Sequence, residues 1–227
     1  MKRLTAAGES VQVTDNGKPL WVLRSATAPS LADADRQLVD DELDAMLAER
    51  RTPLCGLRRA IDRGFPDAMT YGDSSFVLRL LTNEVGSEHA VAVFRRLGRP
   101  GLAFSPLHEI EIRNGLRMKA FMELRLRPAA SKTEIERELS AWEGRLERFL
   151  ERGTLVKVEV SWDKVVESAL RLSREQTLRL GTRSYDILHV AMAAELRCRD
   201  FITCDLRQAK LARSAGLKVT MVEVSGD

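Results

Sequence analysis

Cysteine is scarce in this chain, with three in 227 residues at Cys55, Cys198 and Cys204. An odd count with no paired spacing excludes a disulfide scaffold and a zinc knuckle. No apolar run approaches the roughly 18 residues that a membrane span needs. The opening Lys2-Arg3-Leu-Thr-Ala-Ala-Gly-Glu has no signal-peptide core. No membrane partner and a cytoplasmic location are therefore expected. A dominant charge is lacking too: 36 basic against 33 acidic residues leave +3, which excludes a polycationic coat for nucleic acid. Aromatic residues are 5% of the chain, and Tyr71, Tyr185 and Trp142 are too scattered to read as a base-stacking platform. There is no internal repeat and no low-complexity tract.

What is there suits a globular protein of one or two domains, 44% hydrophobic and 30% charged. The character changes near Gly64-Phe-Pro-Asp-Ala68, which sets a leader, 1–66, before a body, 67–227. Residues 1–68 carry 10 basic and 11 acidic side chains, net −1, and residues 69–227 carry 26 and 22, net +4. The two signs suit mutual docking. In the leader, Ser10–Thr14 alternates, Asp15-Asn16-Gly17 turns and Lys18–Leu23 returns, which predicts a β-hairpin over 10–23. Val39, Leu43, Met46 and Leu47, then Leu54, Leu57 and Ile61 after Pro53, recur at helical spacing and predict amphipathic helices over 35–62. A hairpin with such helices is too small to be stable unaided and needs a partner surface.

The body alternates strand and helix. Strands are expected at 69–72, 102–105, 155–160, 201–204 and 217–224. Helices are expected at 74–81, 88–97, 107–125, 133–151, 162–180, 186–197 and 206–215. This is the pattern of a parallel-sheet α/β domain with helices on both faces.

Ligands of such sheets bind outside the carboxyl ends of the strands. Asp73 ends the first body strand and Asp205 follows Phe201–Cys204. Glu111 lies in the first turns of the helix after the second strand, and Asp186 in the first turn of the helix that leads into Phe201. Taken singly, helix capping accounts for Asp73 and Asp205, and the helix dipole for Asp186. Glu111 sits on the otherwise apolar face Leu107, Gly115, Met118, Met122, where a carboxylate needs a cation or a hydrogen bond. Capping does not explain four acids aimed at one edge. Crowded carboxylates stay ionised around a divalent cation, and hard oxygen ligands suit Mg²⁺ or Mn²⁺ rather than zinc. The implied chemistry is phosphodiester hydrolysis by an activated water.

Four spaced blocks carry a resemblance. They are Tyr71-Gly-Asp73-Ser-Ser75, Ser105-Pro-Leu-His-Glu-Ile-Glu111-Ile-Arg-Asn114, Arg183-Ser-Tyr-Asp186-Ile-Leu-His189-Val-Ala, and Ile202-Thr-Cys-Asp205-Leu-Arg-Gln-Ala-Lys210-Leu-Ala. Together they resemble, in order and across residues 69–224, the motifs of PIN-domain ribonucleases, and more narrowly the VapC-type toxins of toxin–antitoxin pairs. The resemblance implies a three-layer α/β/α fold with a mostly parallel sheet, and a metal-dependent endoribonuclease. Its metal-binding acids map onto Asp73, Glu111, Asp186 and Asp205. Glu109 competes with Glu111, but the family pattern places the acid three before Asn114 and four before a small residue, Gly115. Ser75 and Thr203 match small polar positions that hold water or phosphate, with local capping as the alternative. The family also implies RNA as partner and a homodimer through this domain.

The leader segment Ala7-Gly-Glu-Ser-Val-Gln-Val-Thr-Asp-Asn-Gly17-Lys-Pro-Leu-Trp-Val-Leu23 resembles the hairpin of Phd/YefM-type antitoxins. In those proteins the region after the hairpin wraps the toxin. The chain thus reads as an antitoxin-like segment fused ahead of its toxin, with the leader docking in cis or in trans. Arg50, Arg51, Arg58 or Arg59 would reach the acidic rim, or else are ordinary solvated charges. Arg183, Lys210 and Arg113 are candidates for RNA phosphate, as are Arg95, Arg96, Arg99, Arg117, Arg125 and Arg127. His189 reads as a core histidine bonded to backbone, or as a phosphate contact. The competing function is a non-catalytic PIN-like scaffold whose leader mediates assembly or transcriptional autoregulation.

Overall fold

A computed structural model of the protein describes residues 10–15, 18–24, 41, 45, 69–126 and 132–223. Two strands, β1 (Ser10–Asp15) and β2 (Lys18–Arg24), pair antiparallel with Val11 opposite Leu23 and Val13 opposite Trp21. The register shifts between Val13 and Thr14, which puts Thr14 opposite Pro19. A proline has no N–H to give the ladder, and a bulge is where a strand tolerates one. Of the helices expected over 35–62, Asp41 and Ala45 are described, both helical and exposed. The rest of that expectation lies outside the described residues, as do the boundary at 66–67 and Arg50, Arg51, Arg58 and Arg59.

The body holds a five-stranded sheet of β3 (Thr70–Gly72), β4 (Leu102–Phe104), β5 (Leu155–Lys157), β6 (Asp200–Thr203) and β7 (Lys218–Met221). The order is β5-β4-β3-β6-β7, and every pair is parallel, where a mostly parallel sheet was expected. The chain runs outward from β3 to β5, then returns to lay β6 on the other side of β3. The crevice between the carboxyl ends of β3 and β6 is therefore the topological switch point, where such sheets bind ligands.

Seven helices are described: α1 (Ser74–Leu81), α2 (Ser87–Arg96), α3 (Pro106–Leu126), α4 (Lys132–Glu151), α5 (Trp162–Leu180), α6 (Ser184–Glu195) and α7 (Leu206–Ser214). Strand alternation sorts them into two layers. Leu102, Phe104 and Ile202 pack with α1–α4, while Ala103, Phe201 and Tyr71 pack with α5–α7. This is the three-layer α/β/α arrangement. Among the described residues, both cores are made of residues 69–222.

Two differences from expectation have local causes. Helix α6 begins at Ser184, earlier than expected, because the Asp186 side chain bonds back to the Arg183 N–H in a capping box. On α3, the buried row is Ile112, Leu116 and Ala120, while Met118 and Met122 are 52% and 45% exposed. At 21 residues α3 is about 31 Å long, and the core has room for one row along it.

Candidate active site

The candidate site is built from the carboxyl ends of β3 and β6 and the first turns of α1, α3, α6 and α7. Asp73 leaves β3 in an extended conformation (φ −67°, ψ 169°) and caps α1. Its Oδ1 accepts from the Phe76 N–H at 2.8 Å and from Ser75 Oγ at 2.8 Å. Its Oδ2 accepts from Thr203 Oγ1 at 2.6 Å. Asp73 is only 2% exposed, so burial pushes its pKa up against the opposing pull of the Thr203 hydroxyl and the His189 charge. Thr203 also accepts from the Asp205 N–H at 2.9 Å, so one hydroxyl ties the ends of β3 and β6 together.

Next to Asp73, Ser74 turns the other way. Its Oγ donates to Glu111 Oε2 at 2.7 Å, and His189 Nε2 stands 2.5 Å from the same oxygen. Nδ1 of His189 lies 2.8 Å from the Tyr71 hydroxyl, and the Tyr71 ring stacks on Phe201 at 5.4 Å. Burial pushes the Glu111 pKa up. The hydrogen bond and charge of His189, with the Ser74 hydroxyl, outweigh it and hold the carboxyl below its ordinary value. His189 is therefore bonded to side chains, not to backbone as its apolar helix suggested. Neighbouring His108 is the backbone-bonded histidine. Its Nε2 meets Gly72 O at 2.8 Å and its Nδ1 accepts from the Ser105 N–H at 3.2 Å. Burial and the charge of His189 push its pKa well down.

The remaining acids sit around this cluster as helix caps. Asp205 Oδ1 accepts from the N–H groups of Arg207 and Gln208 at 2.7 and 3.1 Å. Asp186 Oδ2 accepts from Arg183 N–H at 3.1 Å, one helical turn from His189. Glu109 points elsewhere, to Arg113 at 3.2 Å and Lys157 at 3.8 Å, so Glu111 is the glutamate of this helix that meets the cluster. Arg113 is held by Glu109 and by Glu147 at 2.9 Å, and Arg117 by Glu143 at 3.0 Å. Arg125 lies over the Phe121 ring at 5.3 Å. These arginines, expected as a phosphate surface, are laced to α4 acids and an aromatic face; Arg127 lies outside the described residues. Arg183 and Lys210 are exposed, at the N-cap of α6 and on α7. Four helices start at this edge, and their positive ends favour anions there.

Comparison with protein families matches the PIN domain over residues 70–214. The chain belongs to the PIN-domain family. No curated protein matches the chain. PIN domains are generally metal-dependent nucleases and typically use Mg²⁺ or Mn²⁺. In this PIN domain the donor types fit such an ion. Carboxylates and hydroxyls line the switch point, and burial pushes the thiols of Cys198 and Cys204 up to about 12 and about 11, away from soft-metal chemistry. The positions are less complete. Among the described residues, no group of three or more His, Cys, Asp or Glu side chains stands so as to hold a metal ion. Asp73 and Glu111 are anchored by neighbouring residues of the β3–α1 turn, Asp73 by Ser75 and Phe76 together with Thr203, and Glu111 by Ser74 together with His189. Asp186 and Asp205 are spent on their own helix N-termini. Among the described residues, no helix is long and apolar enough to cross a membrane.

Sequence reading missed Ser74, Tyr71 and the partners of His189. A signal existed for the first two. Ser74 follows Asp73 directly and Tyr71 lies two residues before it on the same strand, whereas the partners of His189 come from other elements and have no local signal.

Proposed function

We propose that this PIN domain is a metal-dependent endoribonuclease of the VapC toxin type, restrained by its antitoxin-like leader. The observation that carries the reading is the anchoring of Asp73, at the end of β3, and of Glu111, on α3, by neighbouring residues of the β3–α1 turn at the switch point. In this reading Asp73, Glu111, Asp186 and Asp205 hold Mg²⁺ or Mn²⁺, with Ser75 and Thr203 supporting them. The ion, when bound, supplies Lewis-acid activation of water and neutralises charge on the phosphate. The chain's own residues do the rest. Thr203 and Ser75 fix both oxygens of Asp73. Ser74 and His189 fix Glu111 and keep it ionised. Water adds to phosphorus, the bond to the 3′ oxygen breaks, and 5′-phosphate and 3′-hydroxyl ends are left.

Arg183 and Lys210 bind RNA phosphate at the edge of the cleft. The leader docks on the body in cis or in trans, and fusion raises its local concentration to the millimolar range for a short linker. Arg50, Arg51, Arg58 and Arg59 are its candidate contacts with the acidic rim. The domain pairs with a second copy and works in the cytoplasm.

The test is RNA cleavage by residues 67–227 and by the intact chain, each with Mg²⁺ and with chelator. Metal-dependent cleavage, faster without the leader, supports the reading. No cleavage by either sinks it. A second reading, a non-catalytic scaffold whose leader mediates assembly or transcriptional autoregulation, draws on the capping roles of Asp186 and Asp205. Calorimetric titration with Mn²⁺ separates the two. Binding that Asp73→Asn abolishes favours the nuclease, and no binding by the body favours the scaffold.

A further inference from the structure

Because every strand pair in the sheet is parallel, all five strands start at one edge, at the opposite end of the sheet from the acidic cleft. One row crosses that edge, in which Leu155, Leu102, Thr70, Asp200 and Lys218 stand side by side. Four steps of about 4.8 Å make the row about 19 Å wide. The loops that enter the strands adjoin along it. Thr70 N–H donates to Gly101 O at 3.4 Å, Leu102 N–H to Thr154 O at 2.9 Å, and Lys218 N–H to Arg199 O at 2.9 Å.

This edge is strongly basic. The last helical turn and the loop before each of β4, β5, β6 and β7 cover residues 93–101, 148–154, 192–199 and 211–217. They hold eight arginines and two acids, net +6. Residues 67–227 as a whole carry +3, so the rest of the body is net negative. Helix carbonyl ends favour cations in the last turn, which accounts for the arginines that close α2, α4 and α7. It does not account for Arg199, which lies in the loop beyond α6, nor for the backbone of Arg197. The residue after the helix cap is left-handed in all four cases. It is Gly98, Gly153 and Gly216 after α2, α4 and α7, but Arg197, at φ 54°, after α6. An arginine stands there where glycine is the less strained residue. Arg96, Arg197, Arg199 and Arg213 are exposed.

The leader holds a stretch of the opposite sign. Residues 33–49 contain seven acids and one arginine, net −6. Met69 comes 20 residues after Glu49 and directly precedes β3, so the leader joins the body at the basic edge. A flexible chain of 20 residues spans about 25 Å, close to the width of that edge. The tether therefore holds the acidic stretch at high local concentration beside arginines whose charge it cancels, whereas a polyanion such as RNA arrives from free solution.

We propose that the arginine-rich edge at the amino ends of the strands is the docking surface for the acidic segment 33–49 of the same chain. The inference rests on the leader docking of the proposed function, not on its nuclease chemistry, and adds a contact at the end of the body away from the cleft.

The experiment treats the intact chain with a water-soluble carbodiimide, which condenses a carboxylate with an amine that touches it. Arg199→Lys supplies an amine at the edge beside Lys218. Linked peptides are identified by mass spectrometry from a mixture of light and isotope-labelled protein, which separates links within one chain from links between copies. Amines at 199 and 218 should link to acids of 33–49 within one chain, and about 1 M salt should suppress the links. Arg197→Gly relieves the positive φ, so it should melt no lower than the unaltered chain and yet link less, which a merely structural arginine would not do. Arg96→Glu, Arg197→Glu and Arg213→Glu together should cut linking by about ten-fold. Adding Asp40→Lys, Glu42→Lys and Asp44→Lys to these three should bring links back with the charges exchanged. The proposal is overturned if neither amine links to 33–49 at low salt, if the three reversals leave linking unchanged, or if links form only between copies. It is overturned in favour of RNA if links are absent and a fluorescein-labelled single-stranded oligoribonucleotide binds the intact chain but not the reversed variant. Absent links with faster cleavage by residues 67–227 would sink this inference and leave the leader's restraint standing. Links present with equal cleavage would do the reverse.

Discussion

Glu111 Oε2 takes a hydrogen bond from Ser74 Oγ at 2.7 Å and stands 2.5 Å from Nε2 of the buried His189. Three helices, α1, α3 and α6, are pinned by that one oxygen. Removing the imidazole strands two groups, since the Tyr71 hydroxyl also loses its Nδ1 partner. His189→Leu should cost about 2–4 kcal/mol in urea unfolding. Its effect should be coupled to that of Glu111→Gln by more than about 1 kcal/mol. The pH dependence has a sign. The folded pKa of Glu111 lies below its ordinary 4.5, so its stabilisation is present above the unfolded pKa and is lost as pH falls through the folded value. Glu111→Gln should lack that acid limb. Additive single effects, or an unchanged limb, count against the pairing.

Asp73 has the opposite sign. Burial raises its pKa above 3.8, so the stability linked to its protonated form is present at low pH and is lost as pH rises through the folded value. Asparagine keeps the cap to the Phe76 N–H without a charge to bury. Asp73→Asn in EDTA should therefore melt closer to wild type at about pH 4 and gain on it towards about pH 7. The same substitution should abolish Mg²⁺-dependent RNA cleavage. Wild-type cleavage by the asparagine variant would remove Asp73 from the mechanism.

The two variants also show which parts of the site were legible in the sequence. Asp73 and Asp205 could be placed because each follows a short apolar strand and opens a helix, a local pattern. Helix α1 starts at Ser74 for the same reason, in agreement with the spacing. The environment of His189 was not legible, because its partners come from 78 and 118 residues away and depend on how α3 and β3 pack on α6. The inward face of α3 was misjudged for a related reason. Apolar residues occur nearly all round this helix, so periodicity alone does not choose between the row through Glu111 and the row through Ile112, Leu116 and Ala120. The ion pairs of Arg113 and Arg117 with Glu147 and Glu143 follow from α3–α4 packing, which no local spacing encodes.

Gly115 sets how closely α3 approaches α1. A Cβ there would stand 2.8 Å from Leu78 Cδ1 and 3.2 Å from Cδ2. Both are tips of a flexible side chain, so a methyl can be absorbed, and alanine's helix preference offsets part of the strain by up to about 1 kcal/mol. Gly115→Ala should be nearly neutral. Gly115→Val overpacks the contact and should destabilise by about 1–3 kcal/mol. It should also lower cleavage more than Gly115→Ala does, because Glu111 lies one turn away and reaches Ser74 across the same interface. Equal melting temperatures for Val and Ala variants would show that α1 and α3 are not in close contact.

The last prediction concerns the leader. Among the described residues both hydrophobic cores are built from residues 69–222, and on that basis residues 67–227 should fold and melt cooperatively without 1–66. Residues 1–66 carry net 0 and residues 67–227 net +3, so any charge attraction in the docked form comes from local patches such as the leader arginines on the acidic rim, and its affinity should fall with salt. Three outcomes follow if the leader restrains the nuclease. Residues 67–227 should cleave RNA faster than the intact chain. Residues 1–66 added as a separate peptide should restore inhibition with a midpoint at their dissociation constant for the body, and should block less than fusion does at peptide concentrations below the millimolar local value. Raising salt should release the intact chain more than it affects the body alone. Equal rates for the intact chain and the body, at low and high salt alike, would leave the leader with no inhibitory role.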